Sequence, residues 1–236
     1  MTLQDQRVVV LGGTSGIGLA TAQLAAAEGA TVIVASSNPE SVKRVLETLP
    51  PSATGDAVDL TDAGAVKAFF DGLEPFDHLV FTAGEPLTLL EVESIELARA
   101  RQAFELRYFG ALGAVSAAAP RIRPGGSVVL TTGAAADRPG PGWSVAASIC
   151  GAVDALVRAL AVELAPLRVN AVKPGVVRTP LWSGLSPEML YEETAKTLPV
   201  GRVGEPSDIA AAYVYLMNQG FATGAIISVD GGHVLA

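Results

Sequence analysis

Short runs of branched apolar residues alternate with longer Ala-rich stretches along the whole chain, and this alternation limits the possible folds most strongly. The runs are continuously apolar, which is typical of strands that are buried on both faces. The predicted strands are Arg7–Leu11, Thr31–Ala35, Gly55–Val58, Asp77–Thr82, Ser127–Thr131, Arg168–Val172 and Ala225–Val229. Strands separated by helices form a parallel sheet with helices on both faces. The sequence therefore predicts an α/β fold with a doubly wound parallel sheet.

The stretches between the strands show the pattern of helices, with one exception. The predicted helices are Gly16–Glu28, Pro39–Leu49, Asp62–Asp71 with Thr61 as its cap, Glu93–Ala119, Val145–Ala165 and Pro206–Asn218. The apolar residues of the stretch Thr179–Thr197 show no regular helix or strand spacing, so we expect a loop that covers the substrate. The chain has no internal repeat and no low-complexity linker, and residues 1–236 are expected to form one dinucleotide-binding domain.

Composition excludes several classes of function. The 236 residues include one cysteine and two histidines, too few for an intrachain disulfide or a typical zinc or iron–sulfur site. The net charge of −8 argues against a nucleic-acid partner. No signal peptide is evident near Met1, and the apolar stretch Tyr108–Pro120 is too short to span a membrane. We therefore expect a soluble cytoplasmic protein without a metal, a nucleic-acid partner or a membrane partner.

The first predicted strand runs directly into a glycine-rich turn that opens the first predicted helix. The turn reads Gly12-Gly13-Thr14-Ser15-Gly16-Ile17-Gly18. Glycines allow positive φ angles and a close approach to the backbone, and the free N–H groups at a helix start attract a pyrophosphate. Such a string can also simply shape a loop, but its place between a strand and a helix favours dinucleotide binding.

Several motifs, in the same order along the chain, resemble those of the short-chain dehydrogenase/reductase family. They are the glycine turn, Asp59-Leu60-Thr61-Asp62, Thr82-Ala83-Gly84, the segment 168–180, Pro199–Asp208, Thr223-Gly224 and Asp230-Gly231-Gly232. The chain departs from the family at Leu11, where a Thr is usual, and at Phe81 and Thr82, which replace two asparagines. The resemblance implies a Rossmann-like fold and a nicotinamide cofactor. It places beside that cofactor Gly12, Thr14, Ser15, Gly16, Ile17, Gly18, Asp59, Leu60, Ala83, Gly84, Pro174, Gly175, Val177 and Thr179.

The end of the second predicted strand bears on which dinucleotide is bound. A carboxylate there binds the ribose diol of NAD, whereas a positive side chain accommodates the phosphate of NADP. This chain has Ser36, Ser37 and Asn38 and no acidic residue before Glu40. We expect NADP(H) in preference to NAD(H), with these three residues at the phosphate. The alternative is that Ser37-Asn38-Pro39 only caps the next helix.

The resemblance also implies a catalytic tetrad of Asn, Ser, Tyr and Lys. Matching the flanking motifs puts Arg107, Gly133, Ala146 and Cys150 at those four positions. In the family, the Tyr hydroxyl exchanges a proton with the substrate oxygen, and the Lys lowers the pKa of that hydroxyl. Ala146 has no proton to give and Cys150 is not a permanent cation, while loss of a general acid costs about 10²–10⁴-fold in rate. The usual mechanism of the family is therefore not expected.

Three nearby residues are weak substitutes for the missing groups: Tyr108, Thr132 and Ser148. Arg107 would favour a phenolate at Tyr108, but Tyr108 can equally pack in the core. Cys150 is either a reactive thiol or a small buried hydrophobe.

The pocket for the substrate is predicted from Trp143, Leu181 and Trp182. Asp137 and Trp143 either line this pocket or belong to an exposed loop. Arg107 either binds an anionic group of the substrate or forms an internal ion pair.

Two functions fit a near-complete cofactor motif beside altered catalytic positions. The first is an NADP-dependent oxidoreductase that reduces an already polarised small molecule such as an imine or an enone. The second is a catalytically silent protein of the same fold that binds a nucleotide or supports a partner subunit. The resemblance also implies a homo-oligomer, a tetramer or a dimer, which packs through the long helices.

Overall fold

The structure, a computed structural model, describes residues 2–87 and 89–236. Seven strands form one parallel sheet in the order β3-β2-β1-β4-β5-β6-β7. The strands are β1 Arg7–Leu11, β2 Thr31–Ser36, β3 Thr54–Ala57, β4 Phe76–Phe81, β5 Ile122–Thr131, β6 Arg168–Pro174 and β7 Ile226–Val229. The helices are α1 Gly16–Ala27, α2 Pro39–Leu46, α3 Ala63–Gly72, α4 Leu97–Phe104, α5 Ala111–Ala118, α6 Ser144–Glu163, α7 Pro187–Thr197 and α8 Pro206–Asn218. The predicted doubly wound sheet is confirmed.

Two apolar layers hold the helices against the sheet. Successive residues of a strand point to opposite faces. Val9 and Leu11 of β1 face the layer under α3, α5 and α6, whereas Val8 and Val10 face the layer under α1, α2 and α8. All four side chains are fully buried. The continuous apolar run of β1 therefore corresponds to a strand that is covered on both sides.

The strand order reverses beside β1, which pairs with β2 on one side and with β4 on the other. In open sheets of this kind, ligands bind beyond the carboxyl ends of the strands at such a reversal. The glycine turn follows β1 at this edge, and the loops that follow β4, β5 and β6 leave the sheet at the same edge because all strands are parallel.

The prediction of one long helix over Glu93–Ala119 is confirmed only in part, because continuous helical backbone begins at Leu97, ends at Ala118 and is not regular α-helix throughout. The segment contains a 3-10 turn at Val92–Ser94, then α4, a π-helical turn at Glu105–Gly110, and α5. A π turn inserts an extra residue into the helix and leaves no mark in the apolar pattern of an Ala-rich stretch. Gly110 lies in the tight space this creates, since a Cβ added there would be 3.0 Å from the Leu60 carbonyl oxygen.

Two smaller predictions also differ from the structure. Asp62, not Thr61, caps α3, because its side chain accepts hydrogen bonds from the backbone of Gly64 and Ala65. The stretch Thr179–Thr197 is not a plain loop. It contains a 3-10 turn at Pro180–Trp182 and the helix α7, whose short amphipathic pattern is interrupted by polar residues.

Helix α6 is long and apolar enough to cross a membrane by length and composition alone. Helices that pack in the core of a fold pass the same test, and one face of α6 contributes buried residues, including Ile149, Val153 and Val157, to the protein interior. This face also carries Asp154, a buried charge.

Candidate cofactor and active site

The turn after β1 is compact because it packs directly on the end of β4. Gly12 has a φ of +83°, and a Cβ added there would lie 2.6 Å from the Ala83 nitrogen. A Cβ at Gly18 would lie 2.2 Å from the Gly12 carbonyl oxygen and 2.4 Å from the Thr82 hydroxyl oxygen. Only glycine fits at these two positions. The turn therefore presents bare backbone at the edge of the sheet.

The start of α1 leaves its backbone donors available to a ligand. Ser15 is the N-cap residue in an extended conformation, and its side chain makes no capping hydrogen bond. The helix has no acidic residue in its first turn. The N–H groups and the helix dipole therefore suit an anionic group such as a diphosphate.

The other predicted cofactor residues lie at the same edge of the sheet. Gly16 faces Thr179, since a Cβ added at Gly16 would lie 3.2 Å from the Thr179 methyl carbon. Gly175 follows β6 and packs on Asp230, with 2.8 Å from an added Cβ to the Asp230 Cα. Asp59 follows β3 beside buried Leu60. The structure thus brings the segments that follow β1, β3, β4 and β6 to one edge.

Asp59 and Asn38 are both occupied by local hydrogen bonds. The Thr61 hydroxyl and backbone donate to Asp59 Oδ1 at 2.7 and 2.9 Å, and these bonds lower the pKa of Asp59. Asn38 Oδ1 accepts from the Ser41 backbone at 3.2 Å and caps α2. Ser36 Oγ accepts from the Asn38 backbone at 3.4 Å, and Ser37 is exposed. The capping alternative for Asn38 is therefore observed, while Ser37 faces solvent.

Positions 133, 146 and 150 lie together where β5 and α6 meet. A Cβ added at Gly133 would lie 3.1 Å from Cys150 Sγ, so these two residues are in direct contact. Ala146 is four residues before Cys150 on α6 and hence on the same helix face. Neither Gly133 nor Ala146 carries a polar side chain. The only side chain among these three that can ionise is the thiol.

The Cys150 thiol is held in its neutral form. Burial raises the pKa of Cys150 to about 11, although the positive charges of Arg107 and Lys173 act in the opposite direction. A thiol with this pKa is a weak nucleophile at neutral pH, because the thiolate is the reactive species. The structure favours an inert, partly buried thiol at Cys150 over a reactive one.

Arg107 reaches from the π-helical turn to the loop after β4. Its Nη2 donates a hydrogen bond to the Glu85 carbonyl oxygen. A Cβ added at Gly84 would lie 2.7 Å from Arg107 Nη1, so the guanidinium rests on bare backbone. Burial lowers the pKa of Arg107, and the charge of Glu85 partly opposes this. A persistent cation therefore lies beside Ala83 and Gly84 and close to Cys150.

Comparison with known proteins identifies the family. The family described as Enoyl-(Acyl carrier protein) reductase matches residues 12–233. Short-chain dehydrogenase/reductase malC of Malbranchea aurantiaca is 33% identical, with 99% of this chain and 96% of malC covered. The chain belongs to the short-chain dehydrogenase/reductase family. Short-chain dehydrogenase/reductase ATR9 of Stachybotrys chlorohalonatus is 36% identical, and 99% of each chain is covered.

Solved structures of this family show the same fold. A small-chain dehydrogenase in complex with NADPH has a TM-score of 0.87 and 36% identity, covering 99% of this chain and 100% of its own. The MalC Reductase/Diels-Alderase of Malbranchea aurantiaca has a TM-score of 0.91 and 31% identity, covering 99% of this chain and 98% of its own. The protein is therefore an oxidoreductase-family member with a Rossmann-like sheet, and binding of a nicotinamide dinucleotide follows from the family.

The three weak substitutes are in different surroundings. The Thr132 hydroxyl donates to the Cys150 carbonyl oxygen at 3.0 Å. The Tyr108 ring packs edge-on against Phe104 and Phe109 and contacts the core. Ser148 is exposed, two residues before Cys150 and therefore on another side of α6. Of the three, only Thr132 is brought next to Cys150, and its proton is already donated.

The predicted pocket residues belong to a small apolar cluster around α7. Trp182 is buried, and its Nε1 donates to the Val177 carbonyl oxygen at 2.8 Å. The Trp143 ring lies against it, with 6.2 Å between ring centroids, and Leu181 packs on the same cluster. Trp182 thus anchors this short-chain dehydrogenase/reductase's α7 segment to the end of β6, while Trp143 and Leu181 are partly accessible.

The sequence reasoning missed a charged group behind Cys150. Lys173 of β6 is buried, and its Nζ lies 2.7 Å from Asp137 Oδ2 and 2.8 Å from Asp154 Oδ2. The two carboxylates raise the pKa of Lys173 despite its burial. Two signals were available, because Lys173 directly follows the apolar pair Ala171-Val172 at the end of a predicted strand and Asp154 interrupts the apolar pattern of a predicted helix.

Proposed function

We propose that this protein is an NADP-dependent reductase that lacks the Ser–Tyr–Lys residues of its family and acts on an already activated small molecule such as an imine or an enone. The observation that supports this most is the contrast between a tightly packed glycine turn and the side chains at positions 133, 146 and 150. The cofactor itself supplies the hydride, and the protein supplies binding and orientation.

The chemistry of the acceptor explains why a missing general acid is tolerable in this proposal. Hydride addition to a ketone builds charge on an oxygen, and a Tyr hydroxyl normally neutralises it. An iminium carbon accepts hydride and yields a neutral amine without any proton. Among the residues at the tetrad positions only Arg107 carries a charge, and it is held by the Glu85 carbonyl oxygen.

In this proposal the chain's own residues bind the cofactor and position the acceptor beside it. The turn at Gly12 and the start of α1 would hold the diphosphate, and Pro174, Gly175, Val177 and Thr179 would flank the nicotinamide. Ser36, Ser37 and the absence of a carboxylate at the end of β2 favour NADP(H). The α7 segment, with Trp143 and Leu181, would exclude water from the acceptor.

A direct test is to follow NADPH oxidation with imines, enones and ketones as acceptors. We expect turnover with imines or enones and at least about a hundredfold lower kcat/KM with ketones. NADPH binding without turnover on any of the three classes would contradict the reductase. The same assay with NADH tests the dinucleotide preference.

The alternative is a catalytically silent nucleotide-binding subunit. The observation that favours it is the Arg107 guanidinium, which occupies space against Gly84 where a substrate would approach the cofactor. This alternative predicts NADPH binding in calorimetry with no oxidation by any acceptor. We also propose a cytoplasmic homo-oligomer, a dimer or a tetramer, which sedimentation measurements would test.

A further inference from the structure

Three charged side chains from three separate elements meet one helical turn from Cys150. Asp154 is four residues after Cys150 on α6, which is about 6 Å along the helix axis. Lys173 is the last residue but one of β6 and lies directly before Pro174 and Gly175. Asp137 follows the 3-10 turn that begins after Gly133. Every one of these elements carries a proposed cofactor residue or a tetrad position.

The group carries one surplus negative charge. Lys173 is the only cation that forms an ion pair with Asp137 or Asp154 among residues 2–87 and 89–236. Arg138, the neighbour of Asp137, instead donates to the His233 carbonyl oxygen at 2.7 Å. The charge of Glu85 raises the pKa of Arg107 against the effect of burial, and Arg107 forms no ion pair with either carboxylate in the described part of the chain. Two carboxylates therefore share one ammonium.

The deeper carboxylate has an unmet hydrogen-bonding capacity. Asp154 is 8% exposed, and its Oδ1 has no hydrogen-bond partner within the described part of the chain. Buried carboxylate oxygens are normally satisfied, and an unsatisfied one costs free energy. The outer carboxylate, Asp137, has 48% of its side chain exposed and uses only Oδ2 on Lys173. The charge therefore reaches from the interior to the surface.

We propose that Asp137, Lys173 and Asp154 form an anionic subsite that selects a cationic acceptor, so that the substrate class is an iminium ion rather than a neutral carbonyl compound. This inference rests on the proposed reductase function. Lys173 is a positioning residue that fixes both carboxylates. Hydride from NADPH adds to the iminium carbon, the C=N π pair moves to nitrogen, and the products are a neutral amine and NADP⁺, with no proton required.

Binding of an unreactive cation tests the subsite without requiring turnover. N,N-dimethyltetrahydroisoquinolinium is permanently charged and takes no hydride, and isochroman is its neutral counterpart. With NADPH present, we expect calorimetry to show at least about tenfold tighter binding of the cation, the size expected for one partly screened charge at this range. Equal binding of the two probes by the wild-type protein would overturn the proposal.

Variants of Asp137 connect this preference to the subsite. Asp137→Asn should reduce the preference for the cation to about threefold or less, and Asp137→Glu should retain it. Glu163→Gln removes the same charge from an exposed position at the end of α6 and should change nothing. Because Asp137 is half exposed, Asp137→Asn should keep the wild-type melting temperature within a few degrees. An unchanged preference in folded Asp137→Asn would also overturn the proposal.

Turnover separates this inference from the proposed function. The reacting probes are an N-methyldihydroisoquinolinium ion and cyclohexenone. Preferential cation binding with no turnover of either probe would support the subsite and contradict the reductase. Turnover of cyclohexenone by a protein that binds the cation and isochroman equally would support the reductase and contradict the subsite.

Discussion

The two halves of the site are built in opposite ways. On the β1 side, glycines pack so tightly that a Cβ at Gly12 or Gly18 would overlap neighbouring backbone atoms. On the β5–α6 side, small or uncharged residues stand at positions 133, 146 and 150, and the charge lies instead on Arg107, Lys173, Asp137 and Asp154. The difference indicates that tight backbone packing shapes one half of the site, whereas charged side chains around small or uncharged residues shape the other half.

The largest expected effect comes from substitutions that make the β5–α6 side of the site resemble the family. Gly133→Ser, Ala146→Tyr and Cys150→Lys together should raise NADPH-dependent ketone reduction by about 10²–10⁴-fold over the wild-type protein. Gly133→Ser alone should give no gain, because its Cβ would lie 3.1 Å from Cys150 Sγ. Steady-state rates with a simple ketone measure this. No gain in a folded triple variant would show that the two halves differ by more than these residues.

A substitution in the glycine turn tests the β1 side of the site. Gly12→Ala places a Cβ 2.6 Å from the Ala83 nitrogen at a φ of +83°. We expect NADPH affinity to fall by at least about a hundredfold, because the turn must open to relieve the contact. Titration of NADPH fluorescence measures the affinity.

Two further variants keep that test interpretable. Gly72→Ala is the matched control, since a Cβ there meets nothing within 4 Å. Gly16→Ala is a milder change, because its Cβ would be 3.2 Å from the Thr179 methyl carbon. Full NADPH affinity in both Gly12→Ala and Gly16→Ala would contradict the assigned dinucleotide site.

The reactivity of Cys150 shows whether the β5–α6 side of the site carries a nucleophile. A pKa of about 11 against the ordinary 9.0 reduces the thiolate fraction near pH 8 by about a hundredfold. Since burial disfavours the charged thiolate, alkylation by iodoacetamide should be slow at pH 7–9 and should accelerate towards pH 11. Measured rates against free cysteine at each pH check this, and rapid alkylation at pH 7 would restore Cys150 as a candidate nucleophile.

The smallest expected effect concerns the choice of dinucleotide. Ser37→Asp places a carboxylate at the exposed end of β2, where it would repel the phosphate of NADP and bind the ribose diol of NAD. We expect the ratio of NADPH to NADH affinity to fall by about tenfold. Ser37→Asn is the uncharged control. An unchanged ratio in Ser37→Asp would place the determinant of the preference elsewhere.

The sequence predicted the sheet and its edge well. The seven predicted strands correspond to β1–β7 with boundaries that mostly shift by a residue or two. Burial on both faces leaves a direct pattern in the central strands, whereas the edge strands β3 and β7 are largely accessible. The beginning of β5 was missed, since Ile122–Gly126 contains proline and glycine, which are unusual in strands. The π turn in the long helix was missed because no local propensity encodes it.

The candidate site was only partly predictable. The glycine turn and the segment after β6 are local motifs, so their residues could be named from the sequence. The substitutes for the tetrad could not be ranked, because Thr132, Tyr108 and Ser148 differ in their surroundings rather than in their motifs. Only the structure shows that Thr132 already donates to Cys150 and that Ser148 is exposed.

The sequence by itself determined a parallel α/β sheet, the place of the dinucleotide turn and the absence of Tyr and Lys from positions 146 and 150. These depend on spacing and residue type within short windows. The tertiary structure alone decided that Asp137, Asp154 and Lys173 meet behind Cys150 and that Arg107 rests on Gly84. Such contacts join elements that are far apart in the chain, so residue types within short windows do not show which side chains meet.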